Sequence, residues 1–412
     1  MPVRHASTAI VITCLAELGA MSVWFSGSAV IDQLQAMWRT SLTSVALVTV
    51  LVQVGFVAGA LMVGAFNLGD VFRPTRVFSI SALLAGASNA GFALAAADHP
   101  PIALCFRFLS GFFLAGVYPT AMKIISGWAR EHRGRSLGLL VASLTIGSAL
   151  PHLVKGIGGL PWRGVIWTST VLALLAAVAV ALFVTEGPYS VPVSEYSFAK
   201  VTALFRIRRA RLAYFGYLGH MWELYGMWAW IALILGAGGF TSLRVRSLSA
   251  FVVISVGAVG CIWAGVIADR VSPTTDRVPS RTRVIRTALA VSLLCCMVMP
   301  LAFGKPVLVL AIALCWGISI IADSAQFSAI TTEVIDGGSV ATALAMQTAT
   351  GFLITAISIQ TVAAIAAHYG WRIAVLSLAA GPIVGLISTS LLRRTRGLEV
   401  NAEFQASVSP NS

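Results

Sequence analysis

This 412-residue chain predicts an all-α membrane protein: twelve transmembrane helices in two pseudo-symmetric six-helix bundles. Three observations predict it. First, the chain is 58% apolar and 10% charged, with mean hydropathy +0.89. A soluble domain carries about 25% charged residues, so this chain cannot cover itself with polar surface in water. Second, about twelve apolar runs approach the roughly 20 residues that a spanning helix needs. Third, the two halves repeat each other. Glu17-Leu18-Gly19-Ala20-Met21-Ser22-Val23-Trp24 returns, 206 residues later, as Glu223-Leu224-Tyr225-Gly226-Met227-Trp228-Ala229-Trp230, with Glu, Leu, Met and Trp at matching positions.

In chain order the apolar runs fall near 8–30, 43–67, 77–97, 101–126, 136–157 and 163–184, then 211–237, 247–268, 284–302, 306–328, 338–364 and 371–391. Further matches keep the order: Asp70 and Asp269 after the second run of each half, Trp162-Arg163 and Trp371-Arg372 at the start of the sixth, and Gly134/Gly147 against Gly338/Gly351. Several coincidences in order argue for duplication. The expected organisation is a bundle at 1–185, a linker at 186–210, a second bundle at 211–392 and a tail at 393–412. Pro188, Pro192, Glu186 and Glu195 mark the linker, followed by Arg206, Arg208, Arg209 and Arg211.

The net charge is +13. Nucleic acid is not the expected partner, because the basic residues sit in short loops between apolar runs. Of the 28 Lys and Arg, 19 fall on the side of the N-terminus, 7 on the other side, and Arg107 and Lys123 inside the fourth run. The positive-inside rule then places both termini in the cytoplasm; the expected location is the plasma (inner) membrane. The six cysteines lie in apolar segments without CxxC or metal-ligand spacing and read as small buried hydrophobes; no metal or cofactor is expected. Met1–Thr8 is too short for a cleavable leader.

An ionisable residue within a span is costly, so its default reading is functional. Glu17 and Glu223 lie near mid-bilayer, where a carboxylate sheds its charge when sealed from water and regains it at an aqueous face. They are the candidate proton-coupling pair. His220 shares a helix face with Glu223 at i−3. Arg107 suits an anionic solute or a fixed pair with Glu17. Asp323, a substrate-binding candidate, reads as a second titrating site or a gate, or as a helix end wetted by the cytoplasm. The aromatics Trp24, Tyr118, Tyr225 and Trp228 are candidates for stacking on a solute, against packing or an interfacial belt. Lys123 is expected to snorkel, His152 to be a hydrogen-bonded structural group, and Gly55/Gly59 and Gly134/Gly138 to let helices approach.

The chain resembles the major facilitator superfamily over nearly its whole length. The family's loop motif is matched at Gly265-Val266-Ile267-Ala268-Asp269-Arg270; the first-half copy keeps Asp70, Arg73 and Arg76 but has Phe66 and Val71 where the motif has glycine and arginine. The fourth run keeps Arg107-Phe108-Leu109-Ser110-Gly111, and Gly147-Ser148-Ala149-Leu150-Pro151 partly matches an exporter motif. The resemblance implies two bundles that rock about a central cavity, with Asp70, Arg73, Arg76, Asp269 and Arg270 as gate residues. It implies a secondary transporter of a small organic solute, proton-coupled and working as a monomer in the bilayer. Symport is the first reading; drug or metabolite efflux by proton antiport is the alternative. A sensor or an intramembrane enzyme ranks below both, since the tail is short and no catalytic set is present. Nitrate is set aside, because 43–67 and 247–268 hold no Arg or Lys.

Overall fold

The computed structural model describes residues 6–66, 71–129, 133–189, 201–270, 278–335 and 337–408, with side chains described at fewer positions near the breaks. Among them every regular element is a helix. Ten helices are long and apolar enough to cross a membrane: Leu42–Ala65, Pro74–Ala95, Pro100–Trp128, Arg135–Gly158, Trp162–Phe183, Leu243–Ala268, Val278–Ala302, Pro306–Val334, Thr342–Tyr369 and Trp371–Thr395. In the numbering of the expected runs these are spans two to six and eight to twelve. The two remaining positions are also helical. The first is Ala6–Met21, shorter than a span because the helix breaks; the seventh is the 30-residue helix Arg208–Ala237. These two helices carry Glu17 and Glu223, the repeated acids.

The outer surface suits lipid. Val307 is 85% exposed, Leu301 77%, Trp263 68% and Leu15 63%, a burden that an aqueous surface would not carry.

Packing within the two halves follows one plan. The second span crosses the fourth, and the eighth crosses the tenth. Each crossing is made by reciprocal glycines. A Cβ on Gly55 would strike the carbonyl oxygen of Phe108, and one on Gly111 that of Val52; in the second half Gly260 meets Ile318 and Gly317 meets Val253 in the same way. The pairs 55/260 and 111/317 keep the repeat's offset. Small residues let backbones touch, which drives association where lipid removes the hydrophobic force between helices. Gly59 likewise lies against Phe112. Gly138 does not make such a contact; nothing lies within 4 Å of its Cβ position. The surroundings of Gly134 lie outside what the structure describes.

The halves meet through the second span against the eleventh and the fifth against the eighth. A six-span repeat turns second into eighth and fifth into eleventh, so these two contacts are one contact seen twice. The sixth and twelfth spans open at Trp162 and Trp371. Glu186, beyond the sixth span, accepts hydrogen bonds from Thr75 N (3.1 Å) and Thr75 Oγ1 (2.8 Å), capping the third span at its N-terminus. Residues 190–200 of the expected linker lie outside the described set.

Gly111→Ala and Gly317→Ala should each force a helix crossing apart, at a cost of about 1–3 kcal/mol. Melting of the purified protein, followed by intrinsic fluorescence, should fall for both variants by similar amounts. An unchanged midpoint in either would show that the crossing tolerates a methyl group.

Candidate functional site

The first span breaks at Ser22–Phe25, where i→i−3 bonds replace the helical ladder: Ser22 N to Gly19 O, Val23 N to Ala20 O, Trp24 N to Met21 O. Such a break frees carbonyls inside the membrane, where each must find a donor. Arg107 of the fourth span supplies them. Its Nη2 donates to Trp24 O (2.9 Å), and Nη1 to Val23 O (3.3 Å), Ser26 Oγ (3.2 Å) and Asn89 Oδ1 (3.1 Å); Nε donates to Val48 O (3.0 Å). Asn89 in turn donates to Ile166 O and Thr170 Oγ1. One buried guanidinium thereby ties the first, second, third, fourth and sixth spans. It pairs with no carboxylate among the described residues, so the expected Arg107–Glu17 pair is not formed, and it does not line the cavity described next. Asn89, a polar residue in an apolar span, was the signal that sequence reading passed over.

A cavity of about 1350 Å³ lies between the halves. Trp24, Phe56, Tyr225, Trp228 and Phe352 close its deep end, with ring centroids 4.4–6.0 Å apart for Phe56–Phe352, Trp24–Phe56, Trp24–Phe352, Tyr225–Trp228 and Trp24–Tyr225. Tyr118, Tyr217 and Met221 form the middle. Gly64, Lys123, Arg135, Gly265 and Ser328 line it toward the helix ends that carry the basic loops. Tyr118 opens the lower half of the fourth span, which breaks at Ala115–Val117 because Pro119 cannot continue the hydrogen-bond ladder. Trp24, Tyr118, Tyr225 and Trp228 are therefore brought together, as the sequence reading grouped them. Lys123, read as snorkelling, is half-buried on the cavity wall.

The acids stand behind the wall. Glu17 is fully buried, and neither carboxylate oxygen has a hydrogen-bond partner; it is within electrostatic reach of Tyr118. Glu223 Oε1 accepts from Trp316 Nε1 (2.7 Å), Ser292 Oγ and Cys296 Sγ (3.3 Å). His220 does not turn to Glu223. Its Nδ1 lies 2.7 Å from Asp323 Oδ1, close enough for an ion pair when the imidazole is protonated, and its Nε2 has no hydrogen-bond partner. Asp323 sits where the tenth span breaks, between Pro306–Ala322 and Ser324–Val334, and is 1% exposed, not a wetted helix end. Cys105 and Cys315 are exposed, contrary to the expectation that all six cysteines are buried.

At the opposite end of the cavity, charges tie the halves. Asp32 Oδ1 meets Lys155 Nζ at 2.7 Å and Asp32 Oδ2 meets Arg246 Nη2, from the other half, at 2.8 Å. Lys155 also donates to Ala29 O, and Gln360 Nε2 to Thr43 O. Asp32 lies past the broken first span, and burial pushes its carboxyl up, but Lys155 and Arg246 outweigh this and hold it below the usual carboxylate range. His152, expected to be hydrogen-bonded, is buried with both ring nitrogens unpartnered. Of the expected gate residues, Arg73 and Arg76 are exposed, Asp70 lies outside the described residues, and the side chains of Asp269 and Arg270 do too.

A family model described as Major Facilitator Superfamily matches residues 9–359. No curated protein matches. Among solved structures, a bacterial homologue of the human lysosomal transporter Spinster, inward-facing and unoccupied, aligns with TM-score 0.77 at 13% identity, covering 96% of this chain and 98% of that one. Its occupied form gives 0.74 at 14% identity, over 96% and 98%. A mutant of the nucleoside transporter NupG gives 0.74 at 13% identity, covering 94% of this chain and all of that one.

Arg107→Lys should fail to hold the broken span, because an ammonium lacks the planar fork that reaches three carbonyls at once. The expected outcome is a lower melting midpoint with or without solute. A variant as stable as the native chain would show that the break holds itself.

Proposed function

This chain belongs to the Major Facilitator Superfamily and is a multi-pass membrane transporter; from that premise we propose that it carries a small organic solute together with protons, by alternating access, as a single chain in the plasma (inner) membrane with both termini in the cytoplasm. The observation that carries the reading is Glu17, a fully buried acid without a partner, close behind the cavity wall. A bare carboxylate in that place is costly. Its neutral form fits the sealed wall, and its charged form needs the water that an open cavity brings. The acid thus takes and loses a proton as access alternates.

Glu223 is the partner acid, but its three donors suit the charged form. Proton exchange in the second half runs through His220 and Asp323, whose neighbour Ser324 lines the cavity. The two acids of the repeat thus divide the work. The cavity reaches the side of the basic loops, while Asp32, Lys155 and Arg246 close the other, which corresponds to an inward-open state. The expected inner gate at Asp70, Arg73, Arg76, Asp269 and Arg270 would form when the bundles rock the other way.

Glu17→Gln keeps shape and removes titration. In proteoliposomes carrying a solute found by thermal-shift screening, pH-driven accumulation should collapse while solute counterflow continues. Full accumulation in this variant would end the proton role of Glu17.

Asp32→Asn should loosen the outer closure. A cysteine at Gln360, in a background without native cysteines, should label several-fold faster with an impermeant thiol reagent from outside; an unchanged rate would reduce the cluster to surface charge.

Closure should also resist acid. The Asp32 carboxyl titrates below its ordinary value, so its contribution is complete above the ordinary carboxylate range and disappears only as pH falls through the lowered value. Labelling of the same cysteine, in the cysteine-free background with Asp32 kept and with each rate divided by the thiolate fraction at that pH, should stay flat down to about pH 5. A rise between neutrality and that point would place the sensitive group elsewhere in the cluster.

A further inference from the structure

Resting on the carrier reading above, we infer that Gln53 and His152 form a polar subsite just beyond the aromatic floor. Once the floor parts, it takes the amide-like edge of an uncharged planar solute, an N–H beside a C=O. Both residues extend the cavity wall by one turn. In the second span the lining residues Phe56, Ala60 and Gly64 make one stripe at i+4 spacing, and Gln53 continues it at i−3, toward the outer end. In the fifth span Val141, Leu144 and Ser148 make another, and His152 continues it at i+4, again toward the outer end. Asp32, Lys155 and Arg246 lie within electrostatic reach of His152. His152 therefore stands between the last lining residue of its helix and the cluster that shuts the outer side. The short helix Ser26–Ala29, which follows the break in the first span, packs against the second, fifth and seventh spans and so joins the two flanks.

The polar atoms of both side chains are unmet. Gln53 and His152 are 0% exposed, and Gln53 Oε1 and Nε2 and His152 Nδ1 and Nε2 make no hydrogen bond among the described residues. Thr49, one turn outward from Gln53, is taken up by Ser28, its Oγ1 lying 2.6 Å from Ser28 Oγ. The floor adds two more unmet groups, the indole Nε1 of Trp24 and that of Trp228. An apolar side chain at 53 or 152 would fill the space without leaving buried donors and acceptors unpaired, which is costly. Polar groups of this kind, on stripes that already line the path, are met when a solute with complementary groups reaches them.

The chemistry of the solute follows from these groups. A glutamine side chain holds a C=O and an NH₂ in one plane, so a solute edge with an N–H and a C=O side by side meets both at once. The ring faces of the floor favour a flat body in offset or edge contact. The groups left open, an amide and two indoles, are uncharged. Arg107, beside Gly27 of the short helix, gives its bonds to protein oxygens. An ionised edge at Gln53 would meet neutral dipoles, and a buried charge without a counter-charge is costly.

The test uses the full chain in lipid nanodiscs and three probes on one skeleton, titrated by calorimetry at neutral pH. 2-Quinolone carries the N–H and C=O edge, 1-methyl-2-quinolone has lost the N–H, and quinoline-2-carboxylate puts a charge in its place. 2-Quinolone should bind, and the other two should bind at least about tenfold more weakly. Gln53→Leu should weaken 2-quinolone about tenfold and leave 1-methyl-2-quinolone unchanged. Its melting midpoint should be no lower than native, because an unmet amide has been removed from a buried place; a glutamine with a structural role would lower it. His152→Leu should weaken 2-quinolone several-fold. No binding of 2-quinolone, equal binding of either other probe, native affinity in either variant, or a lowered midpoint in Gln53→Leu would each overturn the subsite. If these failures came with pH-driven accumulation of a screened solute in proteoliposomes, the carrier reading would stand without the subsite. The expected binding, with no accumulation of any probe or screened solute, would leave the subsite standing and remove the carrier reading instead.

Discussion

The first half of the molecule depends on a single buried guanidinium. Arg107 is fully enclosed, yet none of its bonds goes to a charge. Burying an unpaired cation is expensive unless its donors are all met, and here three backbone carbonyls and two side-chain oxygens meet them. Two of the carbonyls, those of Val23 and Trp24, are available only because the first span breaks there. The break and the arginine therefore explain each other. The repeat gives an internal control: Gly111 corresponds to Gly317 at an offset of 206, and the same offset carries Arg107 to Ala313. Without the arginine, the seventh span runs unbroken from Arg208 to Ala237.

This asymmetry bears on the two acids. A broken first span delivers Trp24 and Phe25 into the aromatic floor, where Phe25 packs against Tyr225 and Trp228 of the seventh. A continuous seventh span keeps Glu223 against the ninth and tenth, where Ser292, Cys296 and Trp316 hold it. Duplicated sequence has been turned to two uses: one acid left bare beside the cavity, the other fixed in the packing. In the second half, His220 of the unbroken seventh span lies against Asp323 at the break in the tenth, beside the cavity-lining Ser324.

Much of the architecture was legible because membrane solvent imposes coarse rules. Length and hydropathy located the spans, and the repeated Glu, Leu, Met and Trp disclosed the duplication. Trp24, Tyr225 and Trp228 of the floor were singled out because they fall on repeated spans, whereas Phe56 and Phe352, on the second and eleventh spans, were passed over. What could not be read was which side of each helix they face, and which polar groups meet. Asp32, Lys155 and Arg246 are 123 and 214 residues apart in pairs, and no periodicity joins them. Arg107 was identified as important for its charge, whereas its work depends on a backbone break that no residue in Ser22–Phe25 announces, since none there is glycine or proline. Asp323 stayed open between a functional site and a wetted helix end because the break inside the tenth span, which keeps it buried, was not foreseen.

The closed end and the open end of the cavity obey opposite electrostatic rules. At Asp32, one carboxylate is shared by two cations from different halves, so parting the halves strands a charge in a poorly hydrated place. That cost falls only on opening. At the cavity floor the contacts are aromatic and carry no charge, so they come apart and re-form at little electrostatic cost. A transporter needs both kinds of contact. In the alternating-access reading proposed above, the ion cluster sets how rarely its side of the cavity opens, and the aromatic floor lets a solute take the place of one ring against another without leaving a buried charge behind. Glu17 is buried and bare, within electrostatic reach of Tyr118 in the middle of the cavity wall. In the proton-coupled reading proposed above, its proton decides whether the rearrangement must carry a charge through the apolar centre of the molecule.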